Sequence, residues 1–390
     1  MRGFRIGRVF GIPIKLDVTF LLVLPVFAYL IGTQLEVWVS TLNGAPFAAG
    51  LDATALTAGS VRWVLGAAAA VGLFVGVVLH ELGHSVVAMR YDFTIDAITL
   101  WVLGGVASLT DQPEEWDQEL CIALAGPAVS VALAAVAYGV LVVLPSSLDT
   151  VRFVFGYLAL MNLALAAFNL LPGFPMDGGR VLRALLARTR TFARATKIAA
   201  EVGKLFAFVL GIAGLLSFNV ILIGVAFFIY IGAAGEAQRT AMNAAFEGVT
   251  VADVMTPASD VHTVAATASV ADLMDSMLEH RHTGYPVFRD ATAVGMVTLD
   301  DARSVRAVER DAMRVADVMS DDVYTIPGSA DATDALDALQ EHSVGRLLVV
   351  DADGEMVGLI TRSDLMDAFG IIQSTGAAVS RESLDLPSRP

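Results

Sequence analysis

Six apolar stretches in the first 247 residues constrain this chain more than any other feature. They lie at roughly 17–35, 62–90, 119–144, 152–171, 199–217 and 218–236, each near the ~20 residues a helix needs to cross a bilayer. Only Ser217-Phe218-Asn219 separates the last two, so these could form one broken hairpin. Hydrocarbon offers no partner to a bare peptide group, so runs of this kind must become helices. The expected architecture is a polytopic α-helical membrane domain over residues 1–240, with about six transmembrane helices.

Lys and Arg in the short connections set the orientation. Arg2, Arg5, Arg8 and Lys15 precede the first run; Arg180, Arg183, Arg188, Arg190, Arg194 and Lys197 follow the fourth; the loop 36–60 has neither residue type. Six spans of a cell-membrane protein, with both termini cytosolic, satisfy all three observations. A cleavable leader is not expected, because 17 residues with a basic balance precede the first run and more spans follow it. Two segments of this half are not helical in pattern. Phe4 to Ile14 alternates and contains Gly-Ile-Pro, suggesting a short hairpin at the membrane face. Ile98 to Leu109 is β-branched and too short to span, and its Gly104-Gly105 pair would permit a turn or a close backbone approach. Together they suggest a small membrane-embedded β-sheet, tolerated only where it lines a cavity or is buried in protein.

Chemistry-bearing residues concentrate in two spans. His80-Glu81-Leu82-Gly83-His84 lies near the cytosolic end of the second run. On a helix, positions i and i+4 share a face, so both imidazoles can reach one metal ion while Glu81 projects beside it as a candidate general base. Buried histidines with a Glu partner are the bland reading, but three ionisable groups in a span are costly without a function. A catalytic zinc takes three protein ligands and keeps one open position. The other four histidines, His262, His280, His282 and His342, all lie beyond residue 247, which leaves a carboxylate or Cys121, the one cysteine, as the third ligand. Asp177, in Asn169-Leu-Leu-Pro-Gly-Phe-Pro-Met-Asp177-Gly-Gly-Arg180, is the best-placed carboxylate, although a helix cap would also explain it. Cys121 has no local ligand pattern and reads as an inert buried thiol.

These residues resemble the site-2 protease family. The resemblance covers about 1–240 and rests on the His-Glu-x-x-His span, the Gly104-Gly105 strand, Ala125-Gly126-Pro127 and the Asn169…Asp177-Gly-Gly block, in that order. It implies one Zn2+ per chain held by His80, His84 and Asp177, with Glu81 as base. It also implies that Gly104, Gly105 and Asn169 help hold an unwound membrane-protein substrate. The opening residues 5–17 are similar to that family's start as well. Asp17 stands where many members have His, so no metal or catalytic role is carried to it.

Residues 248–390 read differently. They carry 24 acidic and 10 basic side chains, while residues 1–247 carry 16 and 15, so the net charge of −15 belongs almost wholly to this tail. The acid is mostly Asp (27 of 40) and the base almost all Arg (22 of 25). That balance suits a high-salt cytoplasm, where self-repulsion is screened, and so a halophilic archaeon; a GC-rich genome that favours Arg codons is the alternative. Nucleic-acid binding, which needs a basic face, is not expected.

The tail is also an internal repeat. Val251-Ala-Asp-Val-Met-Thr-Pro257 recurs as Val315-Ala-Asp-Val-Met-Ser-Asp321, and Gly295-Met-Val-Thr-Leu-Asp-Asp301 as Gly358-Leu-Ile-Thr-Arg-Ser-Asp364. One copy is small for an independent core, so the two should pack as a pair. The pattern resembles tandem CBS domains, a cytosolic α/β Bateman module, with copies at 248–308 and 312–370 and a disordered polar end at 371–390. The resemblance implies an adenosine nucleotide held by Thr298, Asp301, Thr361 and Asp364, and a homodimer through the tails. Helix capping is an equally good use of the same Thr and Asp. The function expected of the whole chain is zinc-dependent cleavage of membrane-anchored proteins within or near a span. A transporter or channel with a regulatory tail, its ion path lined by His80, Glu81 and His84, is the competing class.

Overall fold

The computed structural model describes residues 3–101, 104–109, 113, 115–290 and 292–375. The chain divides into two compact units, Met1–Gln238 and Arg239–Pro390. The first opens with strands β1 (Gly3–Val9) and β2 (Ile12–Asp17), followed by helices α1 (Val18–Thr33), α2 (Leu35–Asn43), α3 (Ala53–Thr57) and α4 (Val61–Met89). Strands β3 (Ile95–Trp101) and β4 (Gly104–Leu109) come next, then α5 (Trp116–Val143), α6 (Asp149–Asn169), α7 (Asp177–Ala187), α8 (Phe192–Leu216) and α9 (Val220–Ala245).

Among the described residues, five helices are long and apolar enough to cross a membrane: α4, α5, the stretch 146–169 that includes α6, α8 and α9. The pair α1 and α2, bent by 65°, passes the same test together. The expected loop 36–60 is thus partly helical, because Leu35, Val39 and Leu42 recur at helical spacing and are fully buried. They join Ile31, Leu65, Phe153 and Tyr157 in one core shared by α1, α2, α4 and α6. Close helix approach depends on small residues here. A Cβ on Gly66 would lie 2.3 Å from the Ala28 carbonyl oxygen of α1, the device by which helices pack tightly where lipid removes the hydrophobic drive.

The four strands form one sheet in the order β1-β2-β3-β4, antiparallel except for the β2–β3 pair. The expected hairpin closes at Phe10-Gly11, both at positive φ (52° and 84°), the backbone a two-residue turn requires. Asp17 ends β2 and caps α1, accepting the Thr19 N–H at 2.9 Å.

The second unit takes in the last turns of α9, then α10 (Val251–Val254), β5 (Thr256–Pro257), β6 (Val264–Ala265), α11 (Val270–His280), β7 (Gly284–Arg289), β8 (Thr292–Thr298) and α12 (Leu299–Ser304). It continues through β9 (Thr325–Pro327), α13 (Ala332–Glu341), β10 (Arg346–Val350), β11 (Met356–Thr361) and α14 (Arg362–Thr375). Helix α14 runs five residues past the expected boundary at 370; the rest of the expected polar end lies outside the described residues.

The two copies exchange their opening segments. Residues of the first opening, Val251 and Val254, are buried in a core with Leu339, Leu347, Val349 and Ile360 of the second copy. Val315, from the second opening, is buried with Val270, Leu273, Val287 and Val297 of the first. Strand β5 pairs with β11, and Met296 on β8 exchanges two backbone hydrogen bonds of 2.9 Å with Ser320. A glycine receives each crossing segment. A Cβ on Gly295 would lie 2.6 Å from Met319 Sδ, and one on Gly358 2.6 Å from both Met255 Sδ and the Thr256 carbonyl oxygen. The repeated Val-Ala-Asp-Val-Met motif is therefore the part of each copy that completes the other. Gly295→Val and Gly358→Val should each lower the stability of this unit by about 1–3 kcal/mol, the usual cost of overpacking. Hydrogen exchange on the full chain checks this: protection should fall across both copies, including the one that keeps its glycine.

Candidate metal centre

Helix α4 places His80 and His84 on one face, both buried (3% and 6% exposed). Asp177 begins α7, and its Oδ2 lies 3.2 Å from the Nε2 of each histidine; the two Nε2 atoms are 3.3 Å apart. Three donor atoms thus form a near-equilateral triangle. Zinc bonds to imidazole nitrogen and carboxylate oxygen run about 2.0–2.2 Å, so the edge of a zinc tetrahedron is about 3.3–3.6 Å. The observed edges match its lower end. Among the described residues, these three side chains form the group whose donor atoms could hold a metal ion.

Each histidine is held from behind. His80 Nδ1 is 2.9 Å from Ser130 Oγ and His84 Nδ1 is 2.6 Å from the Ile122 carbonyl oxygen, both on α5. Occupying Nδ1 in this way leaves Nε2 to ligate, fixing the ring that a metal needs. Gly126, also on α5, keeps the centre open: a Cβ there would sit 2.1 Å from His84 Nε2 and 2.7 Å from His80 Nε2. The donor set and this cradle fit a zinc ion.

The position of Asp177 depends on glycine too. Cβ atoms on Gly178 and Gly179 would lie 2.2 Å from the Leu171 carbonyl oxygen and 2.5 Å from the Gly173 carbonyl carbon. Only glycines let the first turn of α7 fold back on 170–174. Gly105, on β4, meets Glu81 directly, since a Cβ would fall 2.5 Å from Glu81 Cγ. Of the two uses expected for the glycine pair, close approach is the one observed here. Gly104 pairs with Trp101 in the same ladder.

The remaining expectations divide. Asn169 ends α6 and donates one Nδ2 hydrogen to its own helix at the Leu165 carbonyl oxygen (3.1 Å). Cys121, expected to be buried, is exposed: α5 buries Glu119, Ile122 and Ala123 on one face and turns Cys121 to another. In the second unit, Thr298 and Thr361 show the helix-capping geometry that was the alternative to nucleotide binding. The Thr298 N–H and hydroxyl donate to Asp301 Oδ2 (2.8 and 2.6 Å), and those of Thr361 to Asp364 Oδ2 (2.9 and 2.8 Å). Both pairs are capping boxes in geometry. Arg346 of the second copy reaches Thr283 Oγ1 of the first at 3.3 Å. Burial draws its guanidinium below the ordinary value, with Asp364 opposing.

A His-x3-His helix closed by an aspartate within a bundle of apolar helices defines a membrane-bound metallohydrolase. The profile of Peptidase family M50 matches residues 68–210, and that of the CBS domain matches 251–307 and 315–371. Zinc metalloprotease MJ0392 of Methanocaldococcus jannaschii is 36% identical over 377 residues, covering 95% of this chain and 97% of its own. Rip3 of Mycobacterium tuberculosis is 34% identical over 389 residues, with 94% of both chains covered. A solved site-2 protease from Methanocaldococcus jannaschii is 36% identical over 60% of this chain and 95% of its own, with a TM-score of 0.40. The chain belongs to peptidase family M50, the site-2 proteases, and carries a tandem CBS pair. It is a zinc metalloendopeptidase of that type, and the transporter reading is not favoured.

Ser130, the Ile122 carbonyl and Gly126 escaped sequence reasoning as parts of the centre. The Ala125-Gly126-Pro127 motif was a signal for one of them, and Ser130 lies one turn beyond it. Gly126→Ala should abolish stoichiometric zinc binding, because the new methyl occupies the space between the two imidazoles. Zinc content of the purified variant, by elemental analysis, checks this.

Proposed function

We propose that His80, His84 and Asp177 hold one zinc ion and that Glu81 is the general base for peptide hydrolysis within or near a substrate's transmembrane segment. The observation that carries the reading is the 3.2–3.3 Å triangle of donor atoms with Gly126 beneath it. When bound, zinc acidifies a water and polarises the scissile carbonyl. Glu81 then takes the proton as the water oxygen attacks the carbonyl carbon, and delivers it to the departing amide nitrogen. Strand β4 packs on the Glu81 stem through Gly105 and limits where the carboxylate can point. A substrate helix must unwind to expose its peptide bond, and in lipid each bare polar group costs several kcal/mol. An edge of the four-stranded sheet, including Gly104 and Gly105, supplies those hydrogen bonds by strand addition. Asn169 assists through Oδ1 or its second Nδ2 hydrogen, which the bond to Leu165 does not use.

In this reading six spans, with α1 and α2 counted as one, cross the cell membrane. The sheet is embedded at its cytosolic side and both termini are cytosolic, as the Lys and Arg distribution favours. The CBS pair takes an adenosine nucleotide at Thr298, Asp301, Thr361 and Asp364 and associates with a second copy of the tail. The capping boxes leave each pair fixed at a helix start, where a ribose hydroxyl or phosphate can share the site.

Glu81→Gln should keep fold and zinc yet lose about 10²-fold or more of its turnover of single-span substrates, the usual range for a general base. Undiminished cleavage would sink the mechanism. For the tail, ATP, ADP, AMP and S-adenosylmethionine should each be titrated in molar salt while melting of the full chain is followed. A ligand selective for the folded state raises the midpoint by mass action, and replacing the two threonines and two aspartates with Ala should remove that rise. No shift with any of the four would leave the tail without a nucleotide role.

A further inference from the structure

Beyond the ligands, one buried cluster in the first unit has no assigned part. Arg183, on α7, is 4% exposed. Its Nε and Nη2 both reach Glu119 Oε1 on α5 (2.7 and 2.5 Å), and its Nη1 reaches Glu236 Oε1 on α9 (2.6 Å). The guanidinium lies over the rings of Phe174 (4.9 Å) and Phe192 (4.6 Å). Glu119 is itself 3% exposed, and its Oε2 finds no hydrogen-bond partner among the described residues.

As a stabilising device this triad is poor. Two carboxylates face one guanidinium, one oxygen is left bare, and apolar side chains of similar volume would commonly serve stability as well. What a planar guanidinium supplies is geometry, because its fork fixes the direction of each partner. The partners here are informative. Glu119 lies three residues before Ile122, whose carbonyl backs His84, and seven before Gly126, which keeps the centre open. Ser130, which backs His80, is on the same helix. Helix α5 is therefore the frame for both histidines. Asp177 is on α7, six residues before Arg183. Phe174, under the guanidinium, belongs to the segment that leads into Asp177.

We propose that Arg183 is a positioning residue for the metal centre. It ties α7 to α5 at Glu119 and to α9 at Glu236, and so keeps Asp177 in register with His80 and His84. Gly178 and Gly179 set the first turn of α7, and Arg183 sets its far half; two anchors fix a short helix where one would let it pivot. A ligand needs placement within roughly 0.5 Å, which a pivoting α7 would not hold. The proposal rests on the reading of His80, His84 and Asp177 as a zinc site.

The test uses full-length protein in detergent, with zinc affinity measured by chelator competition, the melting midpoint of the metal-free protein, and kcat and KM on a single-span substrate. Arg183→Met and Glu119→Gln should each weaken zinc binding tenfold or more and lower kcat with KM held within twofold. Arg183→Lys, which keeps the charge without the fork, should recover only part of the zinc affinity; it and Glu119→Gln carry the test if Arg183→Met does not fold. Zinc affinity and kcat within twofold of wild type in the folded variants, whatever the melting midpoint does, would overturn the proposal. Wild-type protein without stoichiometric zinc would instead overturn the metal reading and take this proposal with it.

Discussion

The first unit is organised by the difficulty of gathering polar side chains inside an apolar helix bundle. Two imidazoles and a carboxylate 3.2–3.3 Å apart need space between them and partners for each outward-facing nitrogen. Glycine gives the space, at Gly126 beside the nitrogens and at Gly178 and Gly179 behind the aspartate. Helix α5 gives the partners, through Ser130 and the Ile122 carbonyl. A side chain at any of these glycines would push apart backbone or ligand atoms, not the end of a flexible chain. The centre and the close packing of α4, α5 and α7 are therefore one requirement.

The second unit solves a different problem. A copy of about 60 residues buries too little to be secure alone. Exchange of the opening segments gives the second copy a strand and the first a β-bridge at Ser320, each with buried valine from the other, so that neither core is complete without its neighbour. Gly295 and Gly358 are matched to this exchange because each receives the methionine of the opposite opening segment. The acidic surface adds self-repulsion to this unit, which salt would screen.

How much of this could be read from the residues differs from place to place. His80 and His84 were legible because helical spacing alone puts i and i+4 on one face. Asp177 was singled out among the carboxylates by its position beside the Gly-Gly pair, and the structure brings its carboxylate to the two imidazoles. The exchange of opening segments was not legible, because a repeat reveals similarity between segments and not which copy each one completes. Arg183 counted only as one of several cations after the fourth span, since charge pattern cannot separate a buried guanidinium from an exposed one. Helix α2 was hidden by Ser, Thr and Asn among its apolar residues, and Cys121 by the habit of thiols to be buried when its face of α5 is not. The capping use of Thr298 and Thr361 was visible as an equal alternative and is the geometry found.

The central claim is that the ion is held by two imidazole nitrogens and a carboxylate oxygen, with no protein sulfur. X-ray absorption at the zinc edge, on full-length protein loaded with one zinc per chain, tests it most directly. The account expects a first shell of nitrogen and oxygen only, at about 2.0–2.2 Å, with the outer-shell scattering of two imidazoles. A sulfur scatterer near 2.3 Å, or a shell lacking imidazole, would contradict it.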